Sequence, residues 1–208
     1  TNLVATDQMV DSPTNNFVTM NPLVKPYTAL TYSEGNLQIN KAAASYAQSG
    51  ATIGLPNSGK WYWEMNRATA SGTGWMGIAG STASLFWDSG NTMYLDTVAN
   101  CLFYDDAKYY VDGSSTGTYG ATWYDSNIMA IALNLDDNEM TLYKNNVSQG
   151  VATISGGMLT QDVVIPVDLI YGTEERDYNF GQNGSFNGAK TAQWNTDSNE
   201  IGDFYYEP

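Results

Sequence analysis

The sequence predicts an all-β fold on three observations. Aromatic residues make up 13% of the 208 positions, glycines number 20 and only 14% of residues are charged, a composition of short strands and tight turns rather than of helix bundles. Short apolar runs bounded by Asp, Asn, Ser, Gly and Pro recur along the chain. The clearest two runs, 128–135 and 140–143, flank Asp136-Asp137-Asn138-Glu139, which is the form of an antiparallel hairpin with a short loop.

In chain order, residues 1–16 are polar with scattered apolar positions (Leu3, Val4, Met9, Val10) and read as an extended arm that depends on docking for its order. Phe17-Val18-Thr19-Met20 is a short strand ended by Asn21-Pro22. Residues 30–32 and 37–39 bracket Ser33-Glu34-Gly35-Asn36, a second hairpin signal. Ala42-Ala43-Ala44 reads as a loop or single turn, because Ser, Tyr and Gly follow at once. A strand at 51–55 leads through Pro56-Asn57-Ser58-Gly59 into a strand at 60–65. There Trp61, Trp63 and Met65 share one face, while Tyr62 and Glu64 share the other. Residues 75–80 form a further strand, whose Gly77 permits close approach by a neighbour.

Between 81 and 126 the pattern breaks into aromatic pieces at 85–87, 93–95, 101–104 and 109–111, separated by polar residues. So long a stretch inside a compact domain is expected to hold a few short strands with long turns. In the central hairpin Met129, Ile131, Leu133 and Leu135 form the core face. The smaller Ala130 and Ala132 alternate with them and suit a surface covered by a second layer or a loop. Met140, Leu142 and Lys144 oppose Glu139, Thr141 and Tyr143 in a half-buried strand. Strands follow at 151–154, 163–170 and 177–180, with Pro166 marking an edge or a bulge. Residues 181–203 are turn-rich and Phe204-Tyr205-Tyr206 gives an aromatic close.

Eight basic against 22 acidic residues give a formal charge of −14, which repels a phosphate backbone and excludes nucleic acid as a partner. Cys101 is the only cysteine, so there is no internal disulfide, and its apolar neighbours Leu102 and Phe103 suggest a buried thiol. The chain has no histidine, which removes His-based triads, His metal sites and His pH switches. No run has the length of a transmembrane helix and no signal peptide is visible. The chain begins at Thr1 and reads as a fragment of something longer.

Several segments, in order, resemble the SPRY family. Ser58-Gly59-Lys60-Trp61-Tyr62-Trp63-Glu64-Met65 is similar to its SGKWYWEV strand and Met76-Gly77-Ile78-Ala79 to its VGIA strand. Tyr119-Gly120-Ala121 and the hairpin at 128–144 resemble the family's central hairpin. Val147-Ser148-Gln149-Gly150, Ile165-Pro166-Val167 and Tyr178-Asn179-Phe180-Gly181-Gln182 complete the series. The resemblance spans roughly residues 30–186 and implies a bent antiparallel β-sandwich with concanavalin-like jelly-roll architecture. Ser126-Asn127 departs from the family's Gly-Asp, and Asn145-Asn146 from its Asn-Gly; both are turn changes. The flanks, including Pro13-Thr14-Asn15-Asn16-Phe17 and the segment 201–208, resemble SPRY-containing structural proteins of marine bacteriophages. That narrower resemblance implies a place on the virion, in a tail or other particle component. The chain is expected to divide into an arm (1–16), a sandwich (17–186) and a turn-rich C-terminal extension (187–208) that packs on the domain or leads out of it.

Without histidine, hydrolysis would rest on paired carboxylates, with Glu64, Asp88, Asp105, Asp106, Asp112 and Asp125 as candidates; the resemblance argues against catalysis, and no cofactor is expected. Asp136-Asp137-Asn138-Glu139 and Asp105-Asp106 offer hard oxygen ligands, but acid-rich turns are common for backbone reasons and no metal site is assigned. Recognition is expected at the aromatic loops of 81–126, through Trp87, Tyr104, Tyr109, Tyr110, Trp123 and Tyr124, since Tyr and Trp give large contact area at low entropic cost. Trp61, Trp63, Trp75 and Phe180 are assigned to the core. The expected function is a non-enzymatic binding module recognising a host-surface protein or glycan, or a spacer contacting only other virion proteins. Membrane insertion is not expected, and oligomerisation would come through the parent chain.

Overall fold

The computed structural model describes residues 16–24, 30–81 and 99–208. The arm up to residue 15 and the pieces at 85–87 and 93–95 lie outside the described residues. Two antiparallel sheets form the molecule. The first runs β1 (Thr31–Ser33), β2 (Gln38–Lys41), β14 (Glu174–Asn179), β5 (Lys60–Ala70), β10 (Ile128–Asn134), β11 (Glu139–Lys144), β12 (Val147–Thr153). The second runs β3 (Tyr46–Gly50), β13 (Val163–Tyr171), β6 (Thr73–Gly80), β7 (Asn100–Tyr104), β8 (Lys108–Val111), β9 (Ser114–Thr118), with the two-residue β4 (Leu55–Pro56) also pairing with β13.

Alternation along each strand decides what lies between the sheets. Met129, Ile131 and Leu133 of β10 are at most 1% exposed and face Met76, Ile78, Cys101, Phe103 and Ile170 of the second sheet in one continuous core. Each such side chain contributes roughly 1.5–3 kcal/mol over its exposed state. The expected hairpin stands: β10 and β11 pair from Met129↔Lys144 to Asn134↔Glu139. Asn138 takes the left-handed turn position, and Asn134 caps the loop by binding Asp137 through both main chain and side chain. The close approach expected at Gly77 is also present, since a Cβ there would lie 2.2 Å from the Cys101 carbonyl oxygen.

Four expectations need correction. Residues 17–19 form no strand; only Met20 bridges, to Ala51. The strand placed at 51–55 shrinks to β4, while β3 runs through 46–50, where the Ser-Gly content concealed it. Pro166 marks neither an edge nor a bulge. It sits within β13, paired with Ile78 on one side, where the other neighbour changes from β4 to β3. Its carbonyl accepts the Ala51 N–H at 2.9 Å, and its missing N–H falls in that gap. Between 99 and 118 the aromatic pieces do form short strands, but they are tightly connected and extend the second sheet rather than making long loops.

One end of the intersheet space is charged. Arg67 and Arg176, both fully buried, bind Asp105, Asp168 and Glu174. Arg67 reaches Asp105 at 2.8 Å and the Trp123 carbonyl at 3.0 Å, and also pairs with Glu174. Trp123 stacks against both guanidinium groups, 5.1 Å from Arg67 and 5.9 Å from Arg176. Burial raises the Asp168 carboxyl to about 6, with the Arg176 charge and the Tyr178 hydroxyl opposing it.

Candidate ligand-binding groove

On the outer face of the first sheet the side chains stand in three rows, because β5, β10 and β11 are in register. Lys60, Asn134 and Glu139 form the first, Tyr62, Ala132 and Thr141 the second, Glu64, Ala130 and Tyr143 the third. The alanines, flagged in the sequence as a face awaiting cover, leave room above the sheet. The C-terminal segment takes part of that room. Glu64 is fully buried and its carboxylate accepts the N–H groups of Tyr205 at 2.9 Å and Tyr206 at 2.8 Å. It also accepts the Asn179 amide at 2.8 Å and the Tyr62 hydroxyl at 3.1 Å. Burial raises the Glu64 carboxyl above the usual range, and these four donors act against that rise. Phe204 packs edge-on against Tyr62, with ring centroids 5.3 Å apart, and a Cβ on Gly181 would touch both Phe17 and Phe204.

Where the C-terminal segment stops covering the sheet, a groove of about 750 Å³ opens. Its floor carries Ala132 and Thr141; Asp197, Ser198, Asn199 and Phe204 form one wall. It turns round the rim of the sandwich past Trp61 to Phe17, Ile53 and Pro56. Trp61 is 37% exposed. It shares its parity with Trp63 and Met65, as expected, but lies at the end of β5. Its indole N–H is tied to the Ser58 carbonyl at 3.0 Å and its ring flanks the groove. The assignment of Trp61 to the core is therefore corrected, while Trp63 is buried at 4%. End-of-strand position, rather than face, is the signal that separates the two.

Among the described residues, the aromatics expected to bind do not converge. Trp87 lies outside the described residues. Tyr109 and Trp123 are 5% and 0% exposed: the Tyr109 ring packs on Phe103 and its hydroxyl donates to the Thr153 carbonyl, while Trp123 is enclosed by the arginine pair. Both are held by the core and are corrected accordingly. Tyr104 and Tyr110 lie on the outer face of the second sheet, half-buried, where Tyr104 stacks on Trp75 at 4.3 Å and meets Tyr110 edge-on at 6.1 Å. Trp75 is buried as expected, but in this outer layer rather than between the sheets. Tyr124 is 58% exposed on the turn before β10. Of the carboxylates weighed for hydrolysis, Glu64 and Asp105 are consumed by the contacts above. Asp106 pairs with Lys108, and Asp112 accepts the N–H groups of Asn100 and Gly157. No group of three or more Cys, Asp or Glu side chains fit to hold a metal ion exists among the described residues. No helix among them is long and apolar enough to cross a membrane.

No protein-family model matches the chain, and no curated protein matches it in sequence. Solved structures do match in fold. The SPRY domain of human HERC1 superposes with a TM-score of 0.59 at 14% identity, over 76% of this chain and 96% of that one. A human SPRY domain gives 0.52 at 15% identity, over 72% and 93%. Stonustoxin gives 0.56 at 17% identity, over 78% of this chain and 27% of the toxin chain. The two-sheet sandwich is thus that of SPRY domains.

Proposed function

We propose that the chain is a non-enzymatic binding module that holds a segment of a partner protein in the groove beside Trp61. The observation that carries this is the groove itself: a 750 Å³ cleft with exposed aromatic surface, on a rigid pair of sheets, with a wall supplied by the C-terminal segment. Concave sites with apolar walls and a few polar groups are where ligands bind. SPRY domains are generally protein-interaction modules, and the shared sandwich supports the same use here. The resemblance of the flanks to marine phage structural proteins supports a place on the virion, with a host-surface protein as partner. Tyr104 and Tyr110 offer a second aromatic surface that the same assay examines.

The test is retention of labelled domain on candidate host bacteria and on purified virion proteins. Trp61→Ala combined with Thr141→Arg is expected to weaken retention about thirtyfold, the ~2 kcal/mol of a hot-spot aromatic, with the unfolding midpoint little changed. Loss caused instead by Tyr104→Ala or Tyr110→Ala moves the site to the second sheet. A domain that ignores every cell but assembles with virion proteins is a spacer, not an adhesin.

A further inference from the structure

We propose that the groove selects a cationic ligand: an extended protein segment that sets a lysine or arginine side chain between the Trp61 ring and the Glu139 carboxylate. This rests on the groove being the binding site. Its basis is what the lining side chains still have to offer once their own bonds are counted.

Some donors are spent. The Trp61 indole N–H is given to Ser58. The Asn134 amide donates to Asp137 at 2.7 Å, and the Asn199 amide leans on Asp197 at 3.5 Å. What remains are the Asn16 amide, the second N–H of the Asn134 and Asn199 amides, the Thr141 and Ser198 hydroxyls and the Lys60 ammonium. Acceptors are in excess. Glu139 is exposed and has no hydrogen bond or ion pair among the described residues. Asp197 takes two N–H groups on one oxygen, from Asn199 and Ile201, leaving the other with only the weak Asn199 contact. Asp136 and Asp137 stand in the adjoining turn, each holding one oxygen to a local donor. Two carboxylates, Glu139 and Asp197, therefore line the groove with one ammonium, and Asp136 and Asp137 stand in the turn beside it. Lys60 stands two strands from Glu139 in the same row and makes no ion pair with it among the described residues.

An anionic ligand meets the wrong sign. A guanidinium or ammonium supplies only donors, and Trp61, 37% exposed, is of the aromatic type that partners a cation best. An apolar residue next to it in the ligand would sit over Ala132 and against Phe204. Formal charge −14 adds long-range attraction for such a segment.

The experiment follows amide and indole N–H signals of the isotope-labelled chain during titration with acetyl-Gly-Lys-Phe-Lys-Gly-amide. Parallel titrations use the Gln and Glu counterparts of the peptide and maltohexaose. The lysine peptide is expected to move the Trp61 indole and Gly59 amide signals, and the Glu peptide to leave them in place. Glu139→Lys, an exposed change that leaves the fold intact, is expected to weaken the lysine peptide about fivefold or more, the ~1 kcal/mol of a well-placed ion pair. Equal response to the Lys and Gln peptides, unaffected by Glu139→Lys, overturns charge selection and leaves the groove as the site. A response to maltohexaose alone overturns both in favour of a glycan, and silence from all four probes overturns both outright.

Discussion

Glu64 and Tyr206 stand 142 residues apart in the chain, and the Tyr206 N–H donates to Glu64 Oε1 at 2.8 Å. The same carboxylate takes Tyr205 on its other oxygen, so one side chain of the central strand β5 anchors the C-terminal segment to the sheet. Glu64→Ala leaves two backbone N–H groups without their acceptor, at roughly 1–3 kcal/mol for each buried group. We expect the amides of Tyr205 and Tyr206 to lose hydrogen-exchange protection before the sandwich does. Uniform loss across both sheets would show that the contact supports the whole fold rather than this segment.

Asp168 gives a pH dependence of defined sign. Its carboxyl sits near 6 in the folded chain against an ordinary 3.8, because burial penalises the charged form more than Arg176 relieves it. A raised carboxyl favours folding when protonated. The associated stability, about 3 kcal/mol, is complete below about 3.8 and is lost as pH rises through 6. Asp168→Asn lacks this term. The stability of the natural chain minus that of the variant is therefore expected to shrink between pH 4 and pH 7 in denaturant titrations, whatever the variant's absolute loss. A difference that stays constant with pH, or grows, overturns the assignment.

How much of this was legible in the sequence divides along physical lines. Period-two alternation in residues 128–144 located the hairpin, its inward face and the small residues beneath a covering layer, since a strand's two faces can be read from local order. Exposure at 104–124 could not be read that way. Tyr109 and Tyr110 are neighbours of the same kind, yet one faces Phe103 in the core and the other faces outward beside Tyr104. Trp123 is placed by two arginines 56 and 53 residues away in sequence, through contacts that no local pattern announces. The groove was missed for the same reason: its floor, its rim and its wall come from three distant segments.

Tyr109→Ala empties a core position and removes a hydrogen bond to Thr153. It is expected to cost roughly 3–5 kcal/mol in chemical denaturation. Tyr124→Ala, at an exposed turn, is expected to stay within about 0.5 kcal/mol. Equal losses at the two positions would contradict their placement.

Arg67→Lys keeps the charge but not the fork. Arg67 serves Asp105, Glu174 and the Gly72 and Trp123 carbonyls at once, a planar arrangement that one ammonium cannot reproduce. Breaking part of this buried network is expected to cost about 3 kcal/mol or more. A lysine variant with an unchanged denaturation midpoint would count against the network as drawn.

Gly77→Ala places a methyl 2.2 Å from the Cys101 carbonyl at the β6–β7 pairing. Because backbone is what it meets, relief requires the two strands to part. Loss of amide protection along β7, with a lower unfolding temperature, is the expected result; retained protection there would mean that the pair can yield.

The groove has a history as well as a shape. Its floor is laid down by residues 132–141, but Asp197, Ser198, Asn199 and Phe204 close it, and Glu64 has no hold on the C-terminal segment until residues 205 and 206 exist. Chains are made from the N-terminal end, so during translation both sheets can pair while the cleft still lacks a side. The cleft is complete only with the final residues of this stretch. A chain interrupted after residue 194 then lacks the side of the cleft that Asp197, Ser198, Asn199 and Phe204 supply.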